Sequence, residues 1–341
     1  MDELSQIKVK YEFFDERNEQ QFSEEYKLEI SLAPENFEDI PTLISNLCNY
    51  KTKEERIYYK MFDLNRELFI INSEQLSNYL KKGEVIIMKN CRSFVQHIIK
   101  LLKEGETIID IEKKNIMKKV IFNLKTNYLC VDMFSEDFIS YEGIKYLISF
   151  IQNTVGNIRI YALEALYKIL EYNSAIDYIR KRDEYIDILY EIFIKSDSEL
   201  HYFYSLISII KAIFNDEKKI FYLIETVEKY SEKSHTKICS MIIKIFNESK
   251  DISLKKATLF FVNLIIDFCE SNNIQKRLFS EEEMWRLLEK SVDIKDKDFQ
   301  DQLTNYQIKT KNIIINSDYE LKLCSKYFKK RNNNLMKYIN Y

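Results

Sequence analysis

The sequence predicts a mostly α-helical protein that begins with a small α+β domain. Within the first 90 residues, polar and apolar side chains alternate, as in Ile7–Phe14, and this period of two is typical of half-buried strands. Beyond residue 90 the period becomes helical and stays helical. No proline follows Pro41, and no glycine follows Gly156. Because these two residue types most often interrupt helices, their absence predicts a long series of stacked helices.

Residues 1–90 are predicted to form two strands, a helix and further strands. The first two strands are Ile7–Phe14 and Tyr26–Leu32, joined by the polar loop Asp15–Ser23. Asn36 or Asp39 can cap the helix that follows. The remaining elements are a strand pair, a short helical turn and a last strand, at Tyr58–Phe62, Leu68–Ile71, Glu74–Leu80 and Glu84–Met88. This order predicts a ubiquitin-like roll for the domain 1–90.

From Cys91 onward the pattern predicts about fourteen helices. In Asn157–Tyr172 the apolar residues recur at steps of three, four and one, and this wide stripe is typical of a helix buried between neighbours. The predicted spans are Cys91–Lys103, Asp110–Asn127, Asp132–Ser140, Gly143–Asn153, Asn157–Tyr172, Ser174–Lys181, Tyr185–Lys195, Glu199–Phe214, Lys218–Tyr230, Thr236–Glu248, Ser253–Cys269, Glu281–Ser291, Phe299–Ile315 and Tyr319–Lys330.

Most of the predicted helices are joined by short connections, which force consecutive helices to pack against each other. Units of roughly 40 residues, each with one short and two longer helices, are typical of armadillo or HEAT repeats. We therefore expect an armadillo/HEAT-type α-solenoid over residues 91–316 and a basic tail, helical or frayed, over residues 317–341.

Composition favours a soluble, cytoplasmic protein. The apolar runs are shorter than the roughly 20 residues that cross a membrane. Met1–Gln6 has no signal-peptide core, and the six cysteines form no Cys-x-x-Cys pair. Residues 1–90 carry 12 Lys and Arg against 18 Asp and Glu, whereas residues 321–341 carry 6 Lys and Arg and no acidic residue. This basic end is either a solvated tail or a contact for acidic lipid or nucleic acid.

The sequence contains no pattern that indicates catalysis. It has no GxxxxGK[ST], GxGxxG or GxSxG motif, and its four glycines are widely separated. The three histidines, His97, His201 and His235, lie far apart and form no HxxxH or HExxH pair. We therefore expect a protein that is not an enzyme and that has no catalytic residues, no metal site and no cofactor.

Three segments resemble a known family. Residues 58–88, which end in "LKKGEVIIM", resemble the end of the N-terminal ubiquitin-like domain of ELMO proteins. Residues 120–151, with "SYEGIKYLISFI", resemble the first armadillo repeat that ELMO proteins share with the regulatory region of formins, and residues 254–307 resemble the last repeats. Asn263 corresponds to an asparagine that follows an aliphatic residue in a late-repeat helix of both families. The resemblance covers residues 5–310.

The resemblance implies a scaffold or effector in actin-cytoskeleton regulation that binds a Rho-, Rac- or Arf-type GTPase in its GTP form. In such effectors a ubiquitin-like domain commonly adds its second strand to the sheet of the GTPase. That strand is Tyr26–Leu32 here, and the outward Lys8, Lys10 and Lys27 are the predicted contacts for acidic groups of the GTPase. The alternative interpretation is that each of these lysines is an ordinary side chain exposed to solvent. The cytoplasmic protein is then recruited to the membrane or the actin cortex.

Two further functions remain open. An armadillo stack can bind a peptide or protein on its concave face without any dependence on a GTPase. Asn263 is either a buried side chain bonded to the backbone or a residue of that binding face. The basic tail can instead contact acidic lipid, and nucleic acid is not an expected partner, because the aromatic residues lie at helical spacing with Ile and Leu.

Overall fold

The computed structural model describes residues 4–14, 20–31, 39–48, 57–106, 111–195, 198–234, 238–272 and 294–314. They belong to two compact units, Met1–Tyr178 and Ile179–Tyr341. As predicted, a small N-terminal sheet precedes a long series of helices. The domain boundaries drawn after residues 90 and 316 stay predictions.

The first unit begins with a six-stranded sheet. Its strand order is β2-β1-β6-β4-β5, with β3 also paired to β1. The first and last strands run parallel, through Val9 and Ile86, and all other pairs are antiparallel. The predicted order of elements is confirmed, but the sequence missed β2, which lies within the predicted loop Asp15–Ser23. The strands are β1 (Leu4–Phe14), β2 (Gln20–Phe22), β3 (Tyr26–Ser31), β4 (Tyr59–Asp63), β5 (Leu68–Phe69) and β6 (Ile86–Asn90).

One face of the sheet carries its main core. Two helices, α1 (Ile40–Cys48) and α2 (Ser73–Leu80), contribute buried apolar side chains to this face. The strands supply alternate residues to it, and Val9, Ile86 and Met88 are fully buried. The period of two that marks these strands in the sequence therefore corresponds to burial against the two helices.

The helices follow the predicted pattern closely. The side chain of Asn90 caps the first helix of the array by accepting a hydrogen bond from the backbone N–H of Ser93 at 3.1 Å. Twelve of the predicted helices have described counterparts, while Glu281–Ser291 and Tyr319–Lys330 lie outside the described residues. The first unit contains α3 (Cys91–Gly105), α4 (Ile111–Thr126), a 3₁₀ turn (Tyr128–Cys130), α5 (Asp132–Ser140), α6 (Gly143–Asn153) and α7 (Asn157–Ile169); α8 (Asn173–Arg180) follows.

In the second unit, polar contacts join neighbouring helices. Asp187 accepts hydrogen bonds from the hydroxyls of Tyr222, at 2.8 Å, and Thr226, at 3.0 Å. The ammonium group of Lys256 lies 2.8 Å from the carboxylate of Asp296. Among the described helices, none is long and apolar enough to span a membrane. The unit contains α9 (Asp183–Lys195), α10 (Glu199–Ile213), α11 (Glu217–Ser234), α12 (Ile238–Glu248), α13 (Ile252–Asn272) and α14 (Lys297–Ile314).

Candidate functional site

The second face of the sheet is covered at one end and open at the other. Along β1 the odd-numbered residues enter the core beneath α1, so the even-numbered ones point to the opposite face. On that face Gln6 and Lys8 are exposed, Lys10 is half-buried and Glu12 is only 2% exposed. The burial of Glu12 shows where the helices of the first unit cover the sheet.

A buried ion pair lies at the covered end. The ammonium group of Lys89, on β6, contacts the carboxylate of Glu12, and both side chains are almost completely inaccessible to water. The same ammonium group lies 4.6 Å from the ring centre of Phe62 and 4.7 Å from that of Phe94. A charge removed from water needs such partners, because an unpaired buried ion is strongly destabilising.

An aromatic cluster surrounds this ion pair. The ring of Phe94, on α3, lies 5.3 Å from that of Phe62 and 5.6 Å from that of Phe69, both on the sheet. It also lies 5.0 Å from Tyr128 and 5.9 Å from Phe134, both in the helical part of the unit. These aromatic residues, with Glu12, Lys89 and Asn127, are called the junction below.

Burial also affects how Glu12 ionises. Loss of water raises the pKa of its carboxyl group, and the nearby Lys89 partly opposes this rise. The folded state therefore holds the Glu12 proton more tightly than the unfolded chain does. The contribution of this group to stability is greatest below its ordinary pKa and is lost as the pH rises through the raised value.

Hydrogen bonds across the junction are directed at the backbone of β5. The side chain of Asn127 accepts a hydrogen bond from the N–H of Phe69 at 2.7 Å and donates one to the carbonyl of the same residue at 2.9 Å. The hydroxyl of Tyr128 donates to the carbonyl of Glu67 at 2.7 Å. Glu67 has a φ of 59°, a left-handed conformation that is unfavourable for a residue other than glycine. The junction therefore fixes both β5 and the turn that precedes it.

The predicted lysine contacts share the open end of the same face. Lys27 is directly opposite Lys8 in the register of β1 and β3, and Lys10 is the next outward residue along β1. We call Lys8, Lys10 and Lys27 the lysine face. The ammonium group of Lys8 lies 3.7 Å from Glu25, whereas the structure describes no ion pair for Lys27. Like charges that lie directly opposite destabilise a strand pair, so an acidic partner would relieve this repulsion.

The strand β3 forms an edge of the sheet. It pairs with β1 on one side, and among the described residues no strand pairs with its other side. Tyr26 and Leu28 are only partly buried against the core, and Lys27 and Glu29 are exposed. An edge of this kind offers unpaired backbone groups to a partner strand. The predicted docking strand thus lies beside the lysine face.

Asn263 lies in the second unit, on α13. Its side chain is 6% exposed and donates a hydrogen bond to the backbone carbonyl of Gln302, on α14, at 3.1 Å. This geometry favours the first of the two alternatives derived from the sequence, a buried side chain bonded to the backbone. A binding role for Asn263 stays a prediction.

The arrangement can bind a partner through a strand edge and charged side chains. Within the described part of the chain, no cluster of His, Cys, Asp or Glu has the geometry to hold a metal ion. The structure thus defines a class of protein in which a small sheet, with one open strand edge among the described residues, is fixed to a series of helices.

Comparison with known proteins points to formins. Residues 156–284 match the family model described as the FHOD1/3 FH3 domain. The chain is 24% identical over 195 residues to Formin-C of Dictyostelium discoideum, and this match covers 56% of the chain and 16% of Formin-C. The chain therefore spans less than a fifth of that relative.

Solved structures resemble this chain in fold. The crystal structure of E. histolytica Formin1 bound to EhRho1-GTPgammaS matches with a TM-score of 0.51 and 15% identity, over 88% of this chain and 96% of that chain. A designed armadillo repeat protein matches with a TM-score of 0.44 and 14% identity, over 69% of this chain and 86% of the designed one. The predicted fold class, mostly helical and armadillo-like with a small N-terminal sheet region, is confirmed by the order of elements and by the fold likeness to Formin1.

The family match and the similarity to Formin-C support the formin half of the resemblance and not the ELMO half. They also give no support to the name ubiquitin-like for the N-terminal domain. The FH3 segment begins at residue 156, well within the predicted solenoid.

Sequence reasoning missed the junction. The alternation within Ile7–Phe14 places Glu12 among the polar residues of β1 and does not indicate that helices cover it. A different pattern in the sequence does indicate that this end of the sheet is buried on both faces. The segment "EVIIM" before Lys89 is continuously apolar after its first residue rather than alternating, and Phe62 follows Met61 without a polar residue between them. Continuous apolar runs are typical of strands that are buried on both faces.

Proposed function

We propose that the chain is a non-enzymatic regulatory scaffold that binds a Rho-type GTPase in its GTP form and acts in the control of actin. The fold likeness to E. histolytica Formin1, whose structure is described as bound to EhRho1-GTPgammaS, carries the proposal. The FH3 match over residues 156–284 and the similarity to Formin-C support the link to formins. The match covers 88% of the chain, so fewer than 90 residues lie outside it. At least part of residues 1–90 therefore lies within the match.

The N-terminal sheet is proposed as the docking element. Its first and last strands are parallel neighbours, and the strand pairs on either side of them are antiparallel. This connectivity supports the ubiquitin-like roll as a proposal. A partner strand would add to β3, while acidic groups of the GTPase would meet the lysine face.

The junction determines how this docking element is held. The ion pair, the aromatic cluster and the Asn127 hydrogen bonds fix the sheet to the helices of the first unit. A bound GTPase would thus contact a surface with a fixed relation to those helices. Such preorganisation lowers the entropy lost on binding.

Charge reversal on the lysine face tests the proposed surface. The double variant Lys10→Glu/Lys27→Glu is expected to weaken binding to the GTP-loaded GTPase by about tenfold or more, because it places acidic groups against acidic groups. Affinity is measured by isothermal titration calorimetry, and far-UV circular dichroism checks that the variant folds.

The matched control is Lys81→Glu/Lys82→Glu, which makes the same change of charge. Both lysines are exposed and follow α2, which packs on the other face of the sheet. This variant is expected to bind the GTPase as the unmodified chain does. Equal affinities for all three proteins would remove the lysine face from the proposal.

Two other functions and the localisation stay predictions. The basic segment 321–341 lies outside the described residues, so lipid binding there stays a prediction. Peptide binding on the helical array is the alternative if no GTPase binds. Cytoplasmic localisation with recruitment to the membrane or the actin cortex belongs to the proposed function.

A further inference from the structure

We infer that the β3 edge also pairs with β3 of a second copy of this chain. The inference goes beyond GTPase binding and does not depend on it. It rests on three features of Tyr26–Ser31: an edge that no described strand covers, partly buried apolar side chains along it, and a sequence that complements itself when reversed.

The self-complementarity follows from the order of charges. When two copies of β3 run antiparallel about a two-fold axis at Leu28, Lys27 of each copy lies opposite Glu29 of the other. Side chains at these positions lie on one face of the extended sheet, since both residues are odd-numbered. Directly opposite charges of unlike sign stabilise a strand pair, and this arrangement contains two such pairs.

The same order of charges specifies the register. If the axis moves to Lys27, two lysines lie directly opposite each other, and if it moves to Glu29, two glutamates do. Both alternatives are destabilised by like charges. Of the three registers centred on these residues, only the one centred on Leu28 pairs charges of opposite sign.

Side chains on the other face of β3 also match. In the same register Leu28 lies opposite Leu28 of the second copy, and Tyr26 lies opposite Ile30. Tyr26 and Leu28 are only partly buried in the single chain, so pairing would remove more of their apolar surface from water. The continuous sheet would then extend across the dimer axis.

An acidic group from a second copy would stabilise Lys27. Its cross-strand neighbour within the chain is Lys8, which carries the same charge and already contacts Glu25 at 3.7 Å. Glu29 accepts a hydrogen bond from Gln6 at 3.0 Å and remains exposed. The acidic group that Lys27 lacks within the described residues would be supplied by Glu29 of the second copy.

Sedimentation of the full chain over a concentration series tests this inference. A six-residue strand gives a small interface, so we expect a dimer with a dissociation constant on the order of 100 µM, and the series should reach about 500 µM. Lys27→Glu and Glu29→Lys each create like-charge pairs across the axis. Each variant alone is expected to dimerise at least tenfold more weakly than the unmodified chain.

Mixing the two variants is the decisive control. In a heterodimer of Lys27→Glu with Glu29→Lys, every cross-axis pair again has opposite charges, so dimerisation should return. Misfolding is not expected of Lys27→Glu, because the introduced carboxylate would face Lys8 within its own chain. A single monomeric species across the whole series for the unmodified chain, or a mixture that stays monomeric, would overturn the inference.

Self-association and GTPase binding are tested by separate experiments. The sedimentation experiment contains no GTPase, so its result is independent of that proposal. If both partners use the β3 edge, the GTPase is expected to dissociate the dimer.

Discussion

Replacing Lys89 with methionine is expected to lower the free energy of unfolding by about 3 kcal/mol or more at pH 7, because the change leaves the Glu12 carboxylate buried without its partner. The double variant Glu12→Gln/Lys89→Met removes both charges and should recover most of this loss. Urea unfolding followed by far-UV circular dichroism gives the free energies, and the double-mutant cycle gives the coupling between the two residues.

The loss caused by Lys89→Met should depend on pH. Burial raises the pKa of Glu12 and Lys89 opposes that rise, so removing Lys89 raises the pKa further. Protonated Glu12 is tolerated in the folded state, so the variant should be less destabilised at pH 5 than at pH 7. Lys81→Met, at an exposed lysine, serves as the control and should change stability by less than about 0.5 kcal/mol. If Lys89→Met proves as mild as this control, the buried pair does not have the role assigned to it.

Replacing Asn127 with alanine is expected to lower the free energy of unfolding by about 3 kcal/mol, since the backbone N–H and carbonyl of Phe69 both lose their buried partner. The effect should also be local. Hydrogen exchange at the amide of Phe69 should become faster relative to the amides of β1, because this amide donates to Asn127.

Thr126→Ala is the matched control for Asn127→Ala. The hydroxyl of the neighbouring Thr126 is exposed and donates only within its own helix, to the carbonyl of Phe122 at 2.8 Å. Its loss should change the stability by less than about 0.5 kcal/mol and should leave exchange at Phe69 unchanged. Equal effects of the two variants would show that Asn127 does not hold β5.

The elements of this fold were largely predictable because the apolar pattern carries a local signal. In β1 the alternation of Ile7, Val9 and Tyr11 with lysines specifies both a strand and its buried face. The helix Gly143–Asn153 was predicted with the bounds that the structure shows. The short strand β2 was missed because its three residues, Gln20–Phe22, follow a polar loop and carry a single apolar side chain.

The candidate site was less predictable, because it depends on contacts between residues far apart in the chain. Lys27 and Lys8 could be placed on one face from their alternation alone. The contact of Lys89 with Glu12 and that of Asn127 with Phe69 join residues separated by 77 and 58 positions. No local period encodes such pairs. The self-complementary order of Lys27 and Glu29 was visible in the sequence, but it acquires meaning only once β3 is known to be an edge.

Binding of the purified chain to Rho-, Rac-, Ras- and Arf-type GTPases, each loaded with GDP and with a non-hydrolysable GTP analogue, tests the central claim most directly. The account predicts binding to a Rho-type GTPase that is at least about tenfold tighter in the GTP-analogue form than in the GDP form. Equal binding in both nucleotide states, or no binding to any GTPase of the panel, would contradict it and leave a peptide-binding adaptor as the better account.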